Sequence, residues 1–424
     1  MGRQAVIAVA VGTPAGRAPC IGRRGLVAGA GATLGASVFG TGARAQEAPI
    51  RIAVMNDQSS VYAETGGAGT TAAVRLAAED MGYKAGKFAV EVTVFDHQNK
   101  TDVGAALAAR AYDREGVDAI FDIGNSAVSL AVQEIARERG KILIHCGSAH
   151  EALHGKSCSP TGAQWVYDTY SLAHGLTQSI VDQGGKTWFF ITADYAFGTA
   201  MQAEATAVLT SLGGKVLGSV RHPVGASDFS AYILQAQASG ANIIALANAS
   251  SDTVNAAKQA GEFGVLRGSQ KLATLIFYIN SVHALGPQAA GLQYLESWYW
   301  DLDDETRALA KRFAAVRQGT MPNQTQAGNY SAVLHYLRAV AATDSRDGRT
   351  VMRHMKATPV NDAYARNTVL RADGRLMKDY YLVRVKQPEE VKTGWDLLRI
   401  EKTIPAASVI RPLAEGGCTR LDPA

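Results

Sequence analysis

From residue 50 onward the chain alternates short apolar runs with amphipathic segments, and that alternation leaves few folds open. "IRIAVMND", "FAVEVTVFDHQ", "VDAIFDIG" and "KILIHCG" read as strands. Between them "GTTAAVRLAAEDMG", "DVGAALAARAYDREG" and "SAVSLAVQEIARERG" read as helices, each stopped by a glycine. Apolar runs of this length, separated by amphipathic helices, are the signature of βαβ units around a parallel sheet covered on both faces.

The alternation restarts near "YDTYSLAHGLTQSIVDQGG". "KTWFFITAD", "GKVLGSVRHP", "NIIALAN", "KLATLIFYI" and "LESWYW" read as strands, with "TAMQAEATAVLTSLG", "DFSAYILQAQASG" and "DTVNAAKQAGEFG" as helices. Two long helices come next, "DDETRALAKRFAAVRQG" and "AGNYSAVLHYLRAVAAT". The tail carries "YYLVRVK" and "WDLLRI", which look like late antiparallel strands. A chain of 424 residues is too long for one ordinary core, and at 47% hydrophobic and 19% charged it should be globular. The expected class is α/β, with two doubly wound, Rossmann-like lobes in succession. Strand after strand ends in small polar residues: "ND", "GNS", "CGSA", "AD", "AN". Ligands of open α/β sheets bind outside such carboxyl ends, where helix N-termini offer free N–H groups, so two facing lobes make a cleft.

Residues 1–45 hold five arginines (Arg3, Arg17, Arg23, Arg24, Arg44) and no acidic residue. Arg23-Arg24 precede the Gly/Ala-rich run "GLVAGAGATLGASVFG", and "ARA" before Gln46 is a small-x-small cleavage pattern. This predicts an export signal cut after Ala45 and a periplasmic protein, with a partial match to the twin-arginine route. The run is short and weak for a bilayer span, and Cys20 precedes it, the wrong order for a lipoprotein. Removing the five leader arginines takes the net charge from +4 to about −1. With no basic stripe downstream, nucleic acid is not an expected partner. Of the remaining cysteines, Cys158 and Cys418 sit in loop-like sequence and Cys146 at a strand end. A Cys158–Cys418 bridge is favoured, because it would tie down the tail.

One motif points elsewhere. His150, Glu151 and His154 in "HEALH" fit the H-E-x-x-H signature of zinc hydrolases. Yet Gly155 comes at once after them, only one helical turn fits before "GKSCSP", and no downstream segment supplies an obvious third ligand, although Asp168 could be one. A loop matching by chance is the preferred reading, with no metal and no cofactor expected. "GNSAV" is not a nucleophile elbow. Ser126 is expected instead to cap the helix starting at Ala127 and to turn its hydroxyl and amide toward a ligand anion. "GGAGTT" lacks the lysine of a phosphate loop, and "ESWYWD" reads as packing.

The stretches "DHQNKTDVGAALAARAYD", "WVYDTY", "WFFITADYAFG", "ALANASSDTVNAAKQAGEFG", "YWDLDDETRALAKRF" and "RADGRLMKDYYLVRVKQPEE" resemble the type I periplasmic substrate-binding proteins of ABC importers. They fall in the branched-chain amino acid (Leu/Ile/Val-binding) superfamily, in a branch of which some members take aromatic acids. The resemblance implies two lobes joined by three crossovers and closing on a ligand: residues 46–167 with 301–355, and residues 168–300 with 356–424 and the tail. It also implies a monomer without catalysis that hands its ligand to membrane permease subunits. Onto this chain it places Ser126, with Asn125, after the third strand, and Gly147, Ser148 and Ala149 after the fourth, as holders of a ligand carboxylate. It places Tyr195 and Asn248 in the second lobe, with Asp57 and Tyr62 in the first.

Two departures bear on the ligand. Ala149 stands where relatives carry a threonine. Where amino-acid binders of this superfamily use a second-lobe acid for the ammonium, "FYIN" offers Phe277, Tyr278 and Asn280. A buried ammonium without an anion is costly, and aromatic walls suit a planar apolar body. Two ligand classes therefore stay open: a hydrophobic amino acid, the family's own, and an aromatic or other apolar carboxylate, which "FYIN" favours. Asp57 is a candidate ammonium partner. A ligand sensor of the same fold is the alternative function, with a zinc hydrolase behind it.

Overall fold

The computed structural model describes residues 47–421, so the export-signal reading lies outside the described residues. Six strands form the first sheet in the order β2-β3-β1-β4-β5-β6. They are β1 (Ile50–Asn56), β2 (Lys84–Ala85), β3 (Phe88–Asp96), β4 (Ala119–Asp122), β5 (Ile142–His145) and β6 (Gly162–Gln164). All neighbours pair in parallel except the two-residue β2. β1 shows why its run is apolar throughout. Ile50, Ile52 and Val54 pack with Val74 and Ala77 of the helix Gly67–Asp80 and with Leu337 and Val340 of the helix Gln324–Thr343. Ala53 and Met55 pack on the other face with Ala108, Ala111, Val128 and Val132 of the helices Thr101–Asp113 and Ser126–Glu138. Successive side chains of a strand point to opposite faces, so covering both faces requires apolar residues at every position.

The second sheet, in the order β10-β9-β7-β8, is parallel throughout and is built the same way. It comprises β7 (Thr187–Ala193), β8 (Lys215–His222), β9 (Ile243–Ala247) and β10 (Lys271–Thr274). Trp188 and Phe190 face Leu176, Met201 and Leu209, while Phe189 and Ile191 face Ile233, Ala236 and Ala257. A third, antiparallel sheet of β11 (Gln293–Glu296), β12 (Tyr380–Val385) and β13 (Leu398–Ile404) adds Tyr294, Val383 and Leu398 to that second core. The chain passes between the lobes three times: after β6, after β11 and before β12. Trp165, Val166 and Tyr167, in the first passage, are buried in a core continuous with both lobes.

Two expected strands are shorter than their apolar letters. β10 stops at Thr274, and Leu275–Tyr278 leave the sheet to enter the helix Ile279–Leu285. β11 stops at Glu296, because residues 297–300 bond to other segments. Ser297 donates its N–H to Gln324 Oε1 (2.8 Å), Trp298 Nε1 donates to the Ala363 carbonyl (2.9 Å) and Trp300 Nε1 to that of Trp395 (3.0 Å). Among the described residues no helix is long and apolar enough to cross a membrane.

Candidate functional site

The carboxyl ends of β1, β4 and β5 face those of β7, β9 and β10 across a narrow cavity. The first lobe lines it with Asn56, Asp57, Tyr62, Thr65, Asp122 and Thr325, and with Gly66, Gly124, Gly147 and Ala149. The second lobe contributes Tyr195, Phe197, Ala249, Ile276 and Tyr278. One wall is thus rich in carboxyl, amide and hydroxyl groups, and the other is aromatic and apolar.

The walls are bonded to each other around the rim. The phenol of Tyr62 hydrogen-bonds that of Tyr195. The Tyr167 and Tyr278 phenols pair at 2.9 Å, and Tyr167 also meets Thr325 Oγ1 at 3.0 Å. Thr65 Oγ1 donates to Ser250 Oγ (2.9 Å) and Asn280 Nδ2 to the Glu64 carbonyl (2.8 Å). Burial pushes the Tyr62, Tyr167, Tyr195 and Tyr278 phenols up, so the rim is held by neutral hydroxyls.

The two acids on the polar wall differ. Asp57 organises its own loop. Its carboxylate accepts from the N–H groups of Ser59 (3.2 Å), Ser60 (2.8 Å) and Tyr62 (2.9 Å) and from the Ser60 hydroxyl (2.6 Å). Asp122 accepts from Asn56 Nδ2 (2.9 Å) and Asn329 Nδ2 (3.1 Å), both neutral amides, and burial pushes its carboxyl up from its ordinary range. Asp122 and Ile123 both take left-handed backbone, φ 83° and 54°. That conformation costs roughly 1–3 kcal/mol at each non-glycine position and clusters at functional sites.

Of the residues singled out in the sequence, the structure brings Asp57, Tyr62, Gly147, Ala149, Tyr195 and Tyr278 to the cavity. The other five lie behind it. Asn125, rather than Ser126, is the helix cap: its Oδ1 accepts from the Ala127 (2.8 Å) and Val128 (3.2 Å) N–H groups, and Ser126 is the first helical residue. Ser126 Oγ instead accepts from Ser148 Oγ (3.1 Å). Asn248 is bonded to His222 Nε2 (3.1 Å) and accepts from Thr253 Oγ1 (2.8 Å). Phe277 stands edge-on to Tyr294 in the second-lobe core, ring centroids 5.4 Å apart. Asn56, Asp122, Phe197 and Ile276 were not anticipated individually. The polar letters closing "IRIAVMN" and "AIFD" were the available signal for the first two.

"HEALH" forms a one-turn 3₁₀ helix, Glu151–Leu153. His150 Nδ1 accepts from the Ala152 N–H (3.2 Å), and Glu151 accepts from the Thr169 hydroxyl. His154 turns away into the interior. Its imidazole lies 3.5 Å from Asp168 and 3.4 Å from Asp373, ion-pair rather than hydrogen-bond contacts. Arg375 pairs with Asp168 and Arg371 with Asp373, both at 2.7 Å. The two histidines therefore serve different partners, and two guanidiniums neutralise the nearby carboxylates. Among the described residues no His/Cys/Asp/Glu cluster could hold a metal ion. A disulfide joins Cys158 to Cys418 beside this network, closing a loop of 260 residues with Cα atoms 5.6 Å apart; Cys146 is a buried free thiol.

The periplasmic binding protein family model matches residues 49–392. The fold is shared with a periplasmic binding protein from Burkholderia mallei, 43% identical, over 88% of this chain and 98% of that one (TM-score 0.85). A branched chain amino acid ABC transporter periplasmic ligand-binding protein from Burkholderia xenovorans LB400 is 40% identical, over 87% of this chain and 99% of that one (TM-score 0.77). A Leu/Ile/Val-binding protein homolog 6 from Brucella abortus (strain 2308) is 26% identical over 161 residues, which are 38% of this chain and 41% of that protein's length. With two doubly wound lobes closing on a cavity at their strand ends, the chain belongs to the periplasmic binding protein family, among the ligand-binding proteins of branched-chain amino acid type ABC transporters.

Proposed function

We propose that this protein captures a small carboxylate ligand with an apolar body, a hydrophobic amino acid or an aromatic acid, in the interlobe cavity and delivers it to the permease subunits of an ABC importer. The observation that carries this reading is the cavity itself. It is bounded by strand ends of both lobes, polar on one wall and aromatic on the other, and bridged by Tyr62 and Tyr195. The helix beginning at Ser126 starts two residues beyond Gly124 of the lining, which supports a site for a ligand anion at the positive end of a helix dipole.

The test is a thermal-unfolding screen of purified protein with leucine, isoleucine, valine and phenylalanine beside benzoate- and cinnamate-type acids. A ligand at 100 times its Kd should stabilise by about 2.7 kcal/mol. Tyr195→Ala, which opens the aromatic wall and removes the bridge to Tyr62, should abolish that rise. A Tyr195→Ala protein stabilised as strongly as the unaltered one would place binding outside the cavity.

A further inference from the structure

This inference rests on the cavity being the ligand site. Fifteen residues line it, and none is lysine, arginine or histidine, while two are aspartates. Asp57 is occupied by four donors from its own loop. Asp122 meets the two amide donors and the Thr70 hydroxyl, all neutral, and no ion pair reaches it among the described residues. The Cys146 thiol and the Tyr167 phenol, on which its charge acts, are both pushed up by burial and both neutral.

The neighbouring chain makes room for this carboxyl. A Cβ at Gly147 would come within 2.7 Å of Asp122 Oδ1, and one at Gly66 within 3.1 Å of Oδ2. Every donor that Asp122 meets is neutral, so nothing among the described residues offsets the cost of burying a charge there. A charge kept at that cost, on a strained backbone and at the wall of a cavity, is suited to a partner that arrives from outside.

We propose that Asp122 is the counter-charge for a cationic group on the ligand, so that the site selects amine-bearing apolar molecules over the corresponding deaminated acids. The ammonium sits against the first-lobe wall. The apolar body lies against Tyr195, Phe197, Ile276 and Tyr278, where aromatic faces also favour a cation. The charge is thus read from the end of β4, and the uncharged "FYIN" segment of the second lobe is no obstacle to an amine. Asp252, a buried second-lobe acid, is outside the lining and accepts from the Gly225 N–H with both oxygens at 3.1 Å.

Calorimetric titration of the unaltered protein, Asp122→Asn and Asp252→Asn tests this, with three probe series. These are leucine and phenylalanine, the deaminated 4-methylpentanoate and 3-phenylpropanoate, and the decarboxylated 3-methylbutylamine and 2-phenylethylamine. The unaltered protein should bind amine-bearing probes and take the deaminated acids about 100-fold more weakly or not at all, as for truncating one partner of a buried charge pair. Asp122→Asn should lose about 100-fold toward the amine-bearing probes while unfolding at or above the unaltered protein's temperature. Deaminated acids binding as tightly as the amino acids would overturn the charge requirement and leave the cavity reading standing. Loss of affinity in Asp252→Asn but not in Asp122→Asn would move the counter-charge to the second lobe and overturn the proposal. An unaltered protein that takes none of the six probes would overturn both.

Discussion

Asp122 and Asp168 are the same residue type at the same depth, each with no exposed surface, yet they live in opposite surroundings. Asp168, at the first passage between the lobes, caps the helix Thr169–Asp182 through the Ser171 N–H (2.7 Å). It also receives Arg375 Nε at 2.7 Å and faces His154. Burial alone would raise its carboxyl, but Arg375 and His154 hold it far below the ordinary carboxylate range. Asp122, at the cavity, has neutral donors only, and burial raises it. The crossover region is electrostatically complete and the cavity wall is not. A charge finished within the protein holds architecture, and one left unfinished invites something to complete it.

The largest effect should come from making the crossover incomplete as well. Arg375→Met strands the Asp168 carboxylate, and removing one partner of a buried pair costs about 3–5 kcal/mol. Equilibrium urea unfolding at pH 7 should show that loss, and the double variant Arg375→Met/Asp168→Asn should recover part of it. A loss under about 1 kcal/mol would mean that the crossover charges are as expendable as surface pairs, and the contrast with Asp122 would dissolve.

His154 tests the same contrast through pH. Burial lowers its imidazole pKa, but Asp168 and Asp373 outweigh that and raise it above 6.5. A raised histidine contributes stability that is fully present below pH 6.5 and is lost as pH rises through the folded value. His154→Gln should therefore destabilise the protein most at pH 6 and below, with the gap narrowing toward pH 9. A gap that widens with pH would show His154 to be neutral in the folded protein.

How far the letters disclose the molecule depends on the range of the interactions. The two doubly wound lobes were legible because each strand's apolar run records burial on both faces, a local pattern. Tyr62 and Tyr195 came from the family resemblance and not from any local pattern. The strand ends at Thr274 and Glu296 were not legible, since Ser297, Trp298 and Trp300 bond to residues 27 to 95 positions away. Asp122 escaped for a related reason: its letter closes an apolar strand, but its lack of a cation is a property of Asn56 and Asn329, one of them 207 residues distant. "HEALH" misled in the opposite direction. Its spacing is local, whereas the acid paired with His154 Nδ1 is Asp373, more than two hundred residues on.

The smallest expected effect has the opposite sign. A carboxyl raised by burial makes the native state bind a proton where the unfolded chain does not, so Asp122's own contribution to the stability of the ligand-free protein should fall as pH rises from about 3.8 through its folded value. Asp122→Asn removes that dependence. The variant should be more stable than the unaltered protein by about 1 kcal/mol at pH 7 and equal to it near pH 4. Unfolding both proteins at several pH values, without ligand, measures this. If Asp122→Asn destabilised the protein as Arg375→Met does, Asp122 would be one more structural carboxylate. If it stabilises, the folded chain carries that charge at a cost that only a bound partner offsets.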